Sequence, residues 1–273
     1  MIEALADPFS NGLGQRALVE VLVLGAACGP LGVWLVLYRQ AYAAESIAHG
    51  ALPMVVLAAL AGVPLVLGAA AGALVAVTAV SIAGRVRGVG RDAAVAVTVT
   101  MLFGAGALLA LAPAAPPRLE ELLFGDPLGV STAEVAVSAA IATAVLVGLA
   151  RNHRRLAVAA FDPLSARSLG VDPRSVEPLL LALLALTVLV ALQALGNLLV
   201  VALLIAPGAA ALRVTARLEP ALGLAAAIGV SSGVGGLYLS HYLELAAGAA
   251  IALVALGSVL AGSVIRARIP AVA

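Results

Sequence analysis

The chain contains no lysine; all 15 of its basic residues are arginine. A phosphate-binding Gly-Lys-Ser/Thr loop is therefore excluded, and any ATP-driven step belongs to another chain. There is one cysteine, Cys28, so no internal disulfide can form. It lies inside an apolar run and reads as a small packing residue. Aromatic residues make up 3% of the chain, too few to mark membrane interfaces by an aromatic belt. Charged residues are scarce at 11%, and a net charge of +1 gives no sign of a nucleic-acid partner. The pattern His-Glu-x-x-His is absent, and no carboxylate pair accompanies a nucleophile. The chain therefore reads as a non-enzyme. A basic leader region is also missing: Glu3 and Asp7 precede Arg16, so the first apolar stretch is expected to stay as a span.

What is present is apolar. Of 273 residues, 63% are hydrophobic, with mean hydropathy +1.16. A soluble domain of this size does not reach that composition. Apolar runs separated by Arg, Pro and Gly clusters predict about nine spans (8–9), at 17–38, 47–61, 64–83, 93–112, 133–150, 179–195, 198–212, 221–240 and 245–264. The expected fold is an all-α polytopic membrane bundle forming a single domain over residues 1–273. The runs 47–61, 179–195 and 198–212 fall short of the ~20 residues a full span needs. Short helices are tolerated where protein or a cavity covers their ends, and they often line a pathway. With the N-terminus outside, nine spans place 13 arginines in the cytoplasm and only Arg16 and Arg118 outside. The outer loop 113–132 is then acidic, with Glu120, Glu121 and Asp126. Small-residue pairs recur at packing spacing: Gly25 and Gly29, Gly68 and Gly72, Gly229 and Gly233. They let helix backbones approach closely, within one chain or between two copies.

Against this background Glu45 and His49 stand out. At spacing i, i+4 they share one helix face. An ionisable group at the bilayer centre costs about 2.5–3.5 kcal/mol, so two on one face suggest a purpose. A carboxylate oxygen with an imidazole nitrogen is a ligand set for a divalent metal. A solvated helix start just after a loop is the other reading. His241 and Glu244 form a second pair, at the outer turn between the last two runs. Together the four make a His₂Glu₂ set, suited to zinc and acceptable to manganese or iron(II); ordinary interfacial residues are the alternative for the second pair. The remaining histidine, His153, sits among arginines and reads as a solvated loop residue.

The polar stretch 151–178 is expected to be a long cytoplasmic loop holding a short surface helix. Asp162 and Pro163 can start it, and Gly170 can end it. Such an element suits docking of a partner.

These residues bring a family into view. The chain, from about Gln15 to Val264, resembles the membrane subunits of bacterial ABC importers for zinc, manganese and iron(II). Leu35-Val36-Leu37-Tyr38-Arg39 followed by Ala44-Glu45-Ser46-Ile47-Ala48-His49-Gly50-Ala51-Leu52-Pro53 follows that family's first motif. The run from Gly196 to Ala209, with Asn197 and Pro207, follows its most specific one. Phe124-Gly125-Asp126 resembles its outer turn, and Glu244 to Gly248 its last opening. Asp162, Pro163, Ala166, Gly170 and Val171 resemble its contact with the ATPase. Three positions depart: Glu45 replaces Asp, Ala246 or Ala247 replaces Pro, and Gly208 replaces Ala. The longer Glu45 bears on metal preference more than on transport itself.

The resemblance implies a fold like the cobalamin and siderophore importers, in the bacterial inner membrane, with the N-terminus outside and the C-terminus cytoplasmic. It implies two permease copies, separate cytoplasmic ATPases and an extracytoplasmic metal-binding protein. The cargo would be zinc first, then manganese or iron(II), moved by alternating access with no permanently bound cofactor. A permease for a metal chelate or cobalamin would not need Glu45, His49, His241 and Glu244. A carrier without an ATPase would leave the capped loop unexplained. A structural scaffold would use none of these ligands.

Overall fold

The computed structural model describes residues 7–83, 91–111, 127–162 and 164–268. Among them nine long helices follow the nine apolar runs: α1 Gly12–Leu37, α2 Ala41–Leu60, α3 Leu65–Ala83, α4 Arg91–Ala110, α5 Thr132–Phe161, α6 Pro173–Leu195, α7 Asn197–Val214, α8 Leu218–Leu243 and α9 Ala247–Arg268. Caps fix two of the starts. The Asn11 side-chain oxygen accepts the Gly14 N–H at 2.7 Å to open α1. A Ser131–Glu134 capping box opens α5.

Several helices outrun their apolar segments. Arg, Glu and Ala are good helix formers, so the backbone stays helical where hydropathy falls. Helix α2 starts at Ala41 and α6 at Pro173, which makes them 20 and 23 residues long rather than short spans. Helix α5 runs through the arginine cluster to Phe161. The loop expected over 151–178 therefore shrinks to 162–172. Helix α7, with 18 residues, remains short. Six helices, α1, α2, α5, α6, α8 and α9, combine the length and hydropathy to cross a membrane. The described apolar stretches of α3, α4 and α7, 67–79, 95–110 and 199–214, are shorter, so the described residues establish six spans and do not confirm nine.

Helix directions follow from contacts. Helices α1 and α8 are antiparallel, with Gly25 against Gly229, Gly29 against Ala225 and Gly233 against Val21. Helices α1 and α5 are parallel: Trp34 meets His153, and the Tyr38 hydroxyl donates to the Leu156 carbonyl at 2.7 Å. Gly68 and Gly72 seat α3 on α2, and Gly106 seats α4 on Leu52 and Pro53 of α2. A Cβ on Gly72 would stand 2.5 Å from the Cα of Ala51, so only glycine permits this approach. All three small-residue pairs are thus used inside one chain, and none marks a dimer face.

The bundle has a first end, where α1 starts, and a second end, where it finishes. Val33, Ala211, Ala221 and Ala225 cluster toward the second end. The same end gathers Arg39, Arg151, Arg154, Arg155, Arg167, Arg213, Arg217 and Arg266. Arg85, Arg87, Arg118, Glu120, Glu121 and the Phe124-Gly125-Asp126 turn lie outside the described residues. His153 is not a loop residue: it lies on α5, half-buried, with its ring edge-on to Trp34 at 5.6 Å.

Candidate metal site and docking loop

Glu45 and His49 lie on the second and third turns of α2, not at a frayed start. Both side chains are half-buried. They stand one turn apart, close enough for their charges to interact. The His49 ring packs edge-on against Phe103 of α4, centroids 5.3 Å apart. Its Nδ1 is buried and has no hydrogen-bond partner among the described residues. A buried ring nitrogen without a hydrogen-bond partner is costly, and a cation that accepts its lone pair would remove that cost. Gly50 lies against Ala76 and Leu102, which closes α3 and α4 around this level of α2. Pro53 has no N–H to give to the His49 carbonyl four residues earlier. Carboxylate, imidazole and a freed carbonyl are thus available on one stretch of helix. The sequence already contained the third donor, since Pro53 follows His49 at i+4.

His241 and Glu244 are elsewhere. Both are exposed at the end of α8, with Glu244 in the left-handed conformation at φ 52°. His241 Nε2 approaches the Asp7 carboxylate at 3.5 Å. That is the first end of the bundle, whereas α2 begins at the second. From the 1.5 Å rise per residue, the two pairs are separated along the bundle by on the order of 25 Å. No group of three or more His, Cys, Asp or Glu side chains assembles among the described residues. The four residues therefore form two separate pairs in one chain rather than one cage.

The loop after α5 is a run of turns over 164–170 rather than a regular helix. Its capping logic is the expected one. The Asp162 carboxylate accepts the Ser165 N–H at 3.0 Å, and that bond holds the carboxyl below its ordinary range. Gly170 adopts φ +76°, the left-handed form that ends a helical turn. The Val171 N–H then closes back on the Ala166 carbonyl at 2.9 Å. Ala166 and Val171 are buried in the main core, while Leu164 and Leu169 project into solvent. Arg167, Gly170, Val171 and Asp172 line a surface hollow. The loop is thus anchored by two small apolar residues and exposes apolar tips. Pro163 lies outside the described residues.

One buried group was not anticipated. Glu20 of α1 is fully buried beside the Ser138 hydroxyl of α5, and neither carboxylate oxygen makes a hydrogen bond of good geometry among the described residues. Arg16, one turn earlier, has a buried Nε without a hydrogen-bond partner among the described residues. A lone acidic residue in the run 17–38 was the available signal.

A bundle with six membrane-length helices, an ionisable pair inside and a folded loop beyond the helices suits a membrane transport subunit. The ABC 3 transport family profile matches residues 11–266, and the chain belongs to that family as a permease. It is 35% identical over 242 residues to the manganese transport system membrane protein MntC of Halalkalibacterium halodurans, covering 88% of this chain and 83% of that one. It is 31% identical over 254 residues to the chelated iron transport system membrane protein YfeD of Yersinia pestis, covering 93% and 86%. In three dimensions it matches a chain of PsaBC from Streptococcus pneumoniae, solved in complex with Fab, at TM-score 0.87 and 27% identity, covering 96% and 95%.

Proposed function

We propose that this chain is the permease of an ATP-driven importer of a divalent transition metal, and that Glu45 and His49 are its cargo ligands. One observation carries the reading: a buried, unpartnered His49 nitrogen beside Glu45 on a helix of membrane-crossing length. Manganese or iron(II) is the favoured cargo over zinc. Relatives bear manganese and iron in their names. A donor set of carboxylate, imidazole and carbonyl also suits these harder ions. Two or three donors from one chain bind weakly enough to release the ion.

The arginines gathered at the second end support a cytoplasmic second end. The loop 162–172 then faces the cytoplasm, where Asp162, Pro163, Ala166, Gly170 and Val171 shape a docking element for the ATPase. His241 and Glu244 lie at the opposite, outer end, where an ion delivered by a binding protein enters. Two copies of the chain would enclose the path, and alternating access would follow ATP-driven movement of the loops. Uptake of radioactive manganese into vesicles tests this. Glu45→Ala and His49→Ala should abolish uptake with the complex assembled; normal uptake by both would refute the ligand assignment and favour a chelate as cargo.

A further inference from the structure

A side-chain hydrogen bond ties the start of α2 to α6 at the second end. Gln40, directly before α2, is 8% exposed, and its Nε2 donates to the Glu177 carboxylate of α6 at 2.9 Å. The backbone leading to it is fixed. Arg39 turns the chain at φ +56°, and the Gln40 N–H donates to the Leu35 carbonyl at 2.7 Å. On the other side, Glu177 lies five residues after Asp172, where the docking loop ends. Nothing soft separates the two. Ala166, Val171 and Val176 are buried in one cluster with Leu180. The Ser175 N–H and hydroxyl both donate to the Asp172 carbonyl, at 3.0 and 2.7 Å. Loop and the start of α6 are therefore packed as one unit. Along α2, Glu45 and His49 follow Gln40 by five and nine residues on continuous helix. Higher up, α2 and α6 meet through Ala51, Val55 and Leu192, an apolar contact that permits sliding.

We propose that the Gln40–Glu177 hydrogen bond is the link that carries movement of the docking loop to the cargo ligands on α2. Gln40 and Glu177 are positioning residues: they touch neither metal nor nucleotide. A hydrogen bond to a carboxylate fixes direction as well as distance, which the apolar contact above it does not. Displacement of the loop then tilts α2 at its cytoplasmic start instead of being lost in side-chain slip. The proposal rests on the reading of loop 162–172 as the docking element and of Glu45 and His49 as ligands.

The test uses membrane vesicles from cells expressing the permease with its ATPase and measures radioactive manganese uptake per ATP hydrolysed. Gln40→Leu removes the donor at similar volume and should lower that ratio by about tenfold, with ATP hydrolysis retained. Gln40→Glu sets two carboxylates against each other and should be as poor. Adding Glu177→Gln to Gln40→Glu restores the bond with donor and acceptor exchanged, and should recover at least half of the ratio. A parental ratio in Gln40→Leu, or a double variant no better than Gln40→Glu, overturns the link. A cross-link from Leu164→Cys to the ATPase separates the levels; Cys28 is fully buried and does not compete. If the cross-link forms and Gln40→Leu is normal, only the link is wrong. If no cross-link forms, the docking reading and the link fail together.

Discussion

A close approach of backbones on α1 and α8 makes Gly25→Ala a sensitive probe of the bundle. A Cβ on Gly25 would stand 2.7 Å from the carbonyl carbon and oxygen of Gly229 and 2.8 Å from the Val230 nitrogen. All three are backbone atoms, so no rotamer change relieves the clash. The helices must separate by roughly 0.8 Å to reach ordinary contact of about 3.5 Å. Overpacking of this kind costs about 1–3 kcal/mol. The alanine also gains up to ~1 kcal/mol of helix propensity, which masks part of the cost. Gly223→Ala on α8 isolates that gain, because a Cβ there meets nothing within 4 Å. The two variants should therefore differ by about 1–3 kcal/mol, or roughly 2–12 °C in melting temperature, with Gly25→Ala the lower. Thermal melts of the purified permease followed by size exclusion read this directly. If Gly25→Ala melts at or above Gly223→Ala, the α1–α8 packing described above is wrong.

Three further outcomes are expected. Glu20→Gln cannot ionise and should raise the melting temperature, because the native carboxylate is buried with neither oxygen in a hydrogen bond of good geometry; a lower melting temperature would mean that Glu20 has a partner in the assembly. In the docking loop, Gly170→Leu forces a side chain into φ +76° at about 1–2 kcal/mol and should uncouple ATP hydrolysis from uptake. There too, Asp162→Asn should keep the cap and Asp162→Ala lose it. Since the folded Asp162 carboxyl titrates below its ordinary 3.8, its contribution is present at neutral pH and lost only as pH falls through that lower value, so protease protection of the loop that fades already at pH 6 would contradict the assignment. At the first end, His241→Asp should relax selectivity toward oxygen-preferring cations in competition uptake, and an unchanged metal ranking would remove His241 from the pathway.

Much of this was readable from residues alone. Apolar runs located the nine helices, and the i, i+4 spacing of Glu45 and His49 placed them on one face. Hydropathy could not locate helix ends, because Ala41–Ser46 and Arg151–Arg155 are polar in part yet helical. That error made α2 look short and put Glu45 at its edge. It also turned the end of α5 into a loop and His153 into a solvated residue, when it packs on Trp34. Pairing between distant elements was invisible. Gln40 and Glu177 are 137 residues apart, and Gly25 meets Gly229 only because α1 and α8 lie antiparallel. Whether the four candidate ligands met was likewise a question of helix direction, answered by the contact of His241 with Asp7.

The most direct test of the account is an anomalous-scattering map of the permease crystallised with manganese. A manganese peak is expected within coordination distance of the Glu45 carboxylate and the His49 ring, and it should vanish in His49→Ala. A manganese peak bound inside the bundle away from both residues, or one that persists unchanged in the variant, would contradict it.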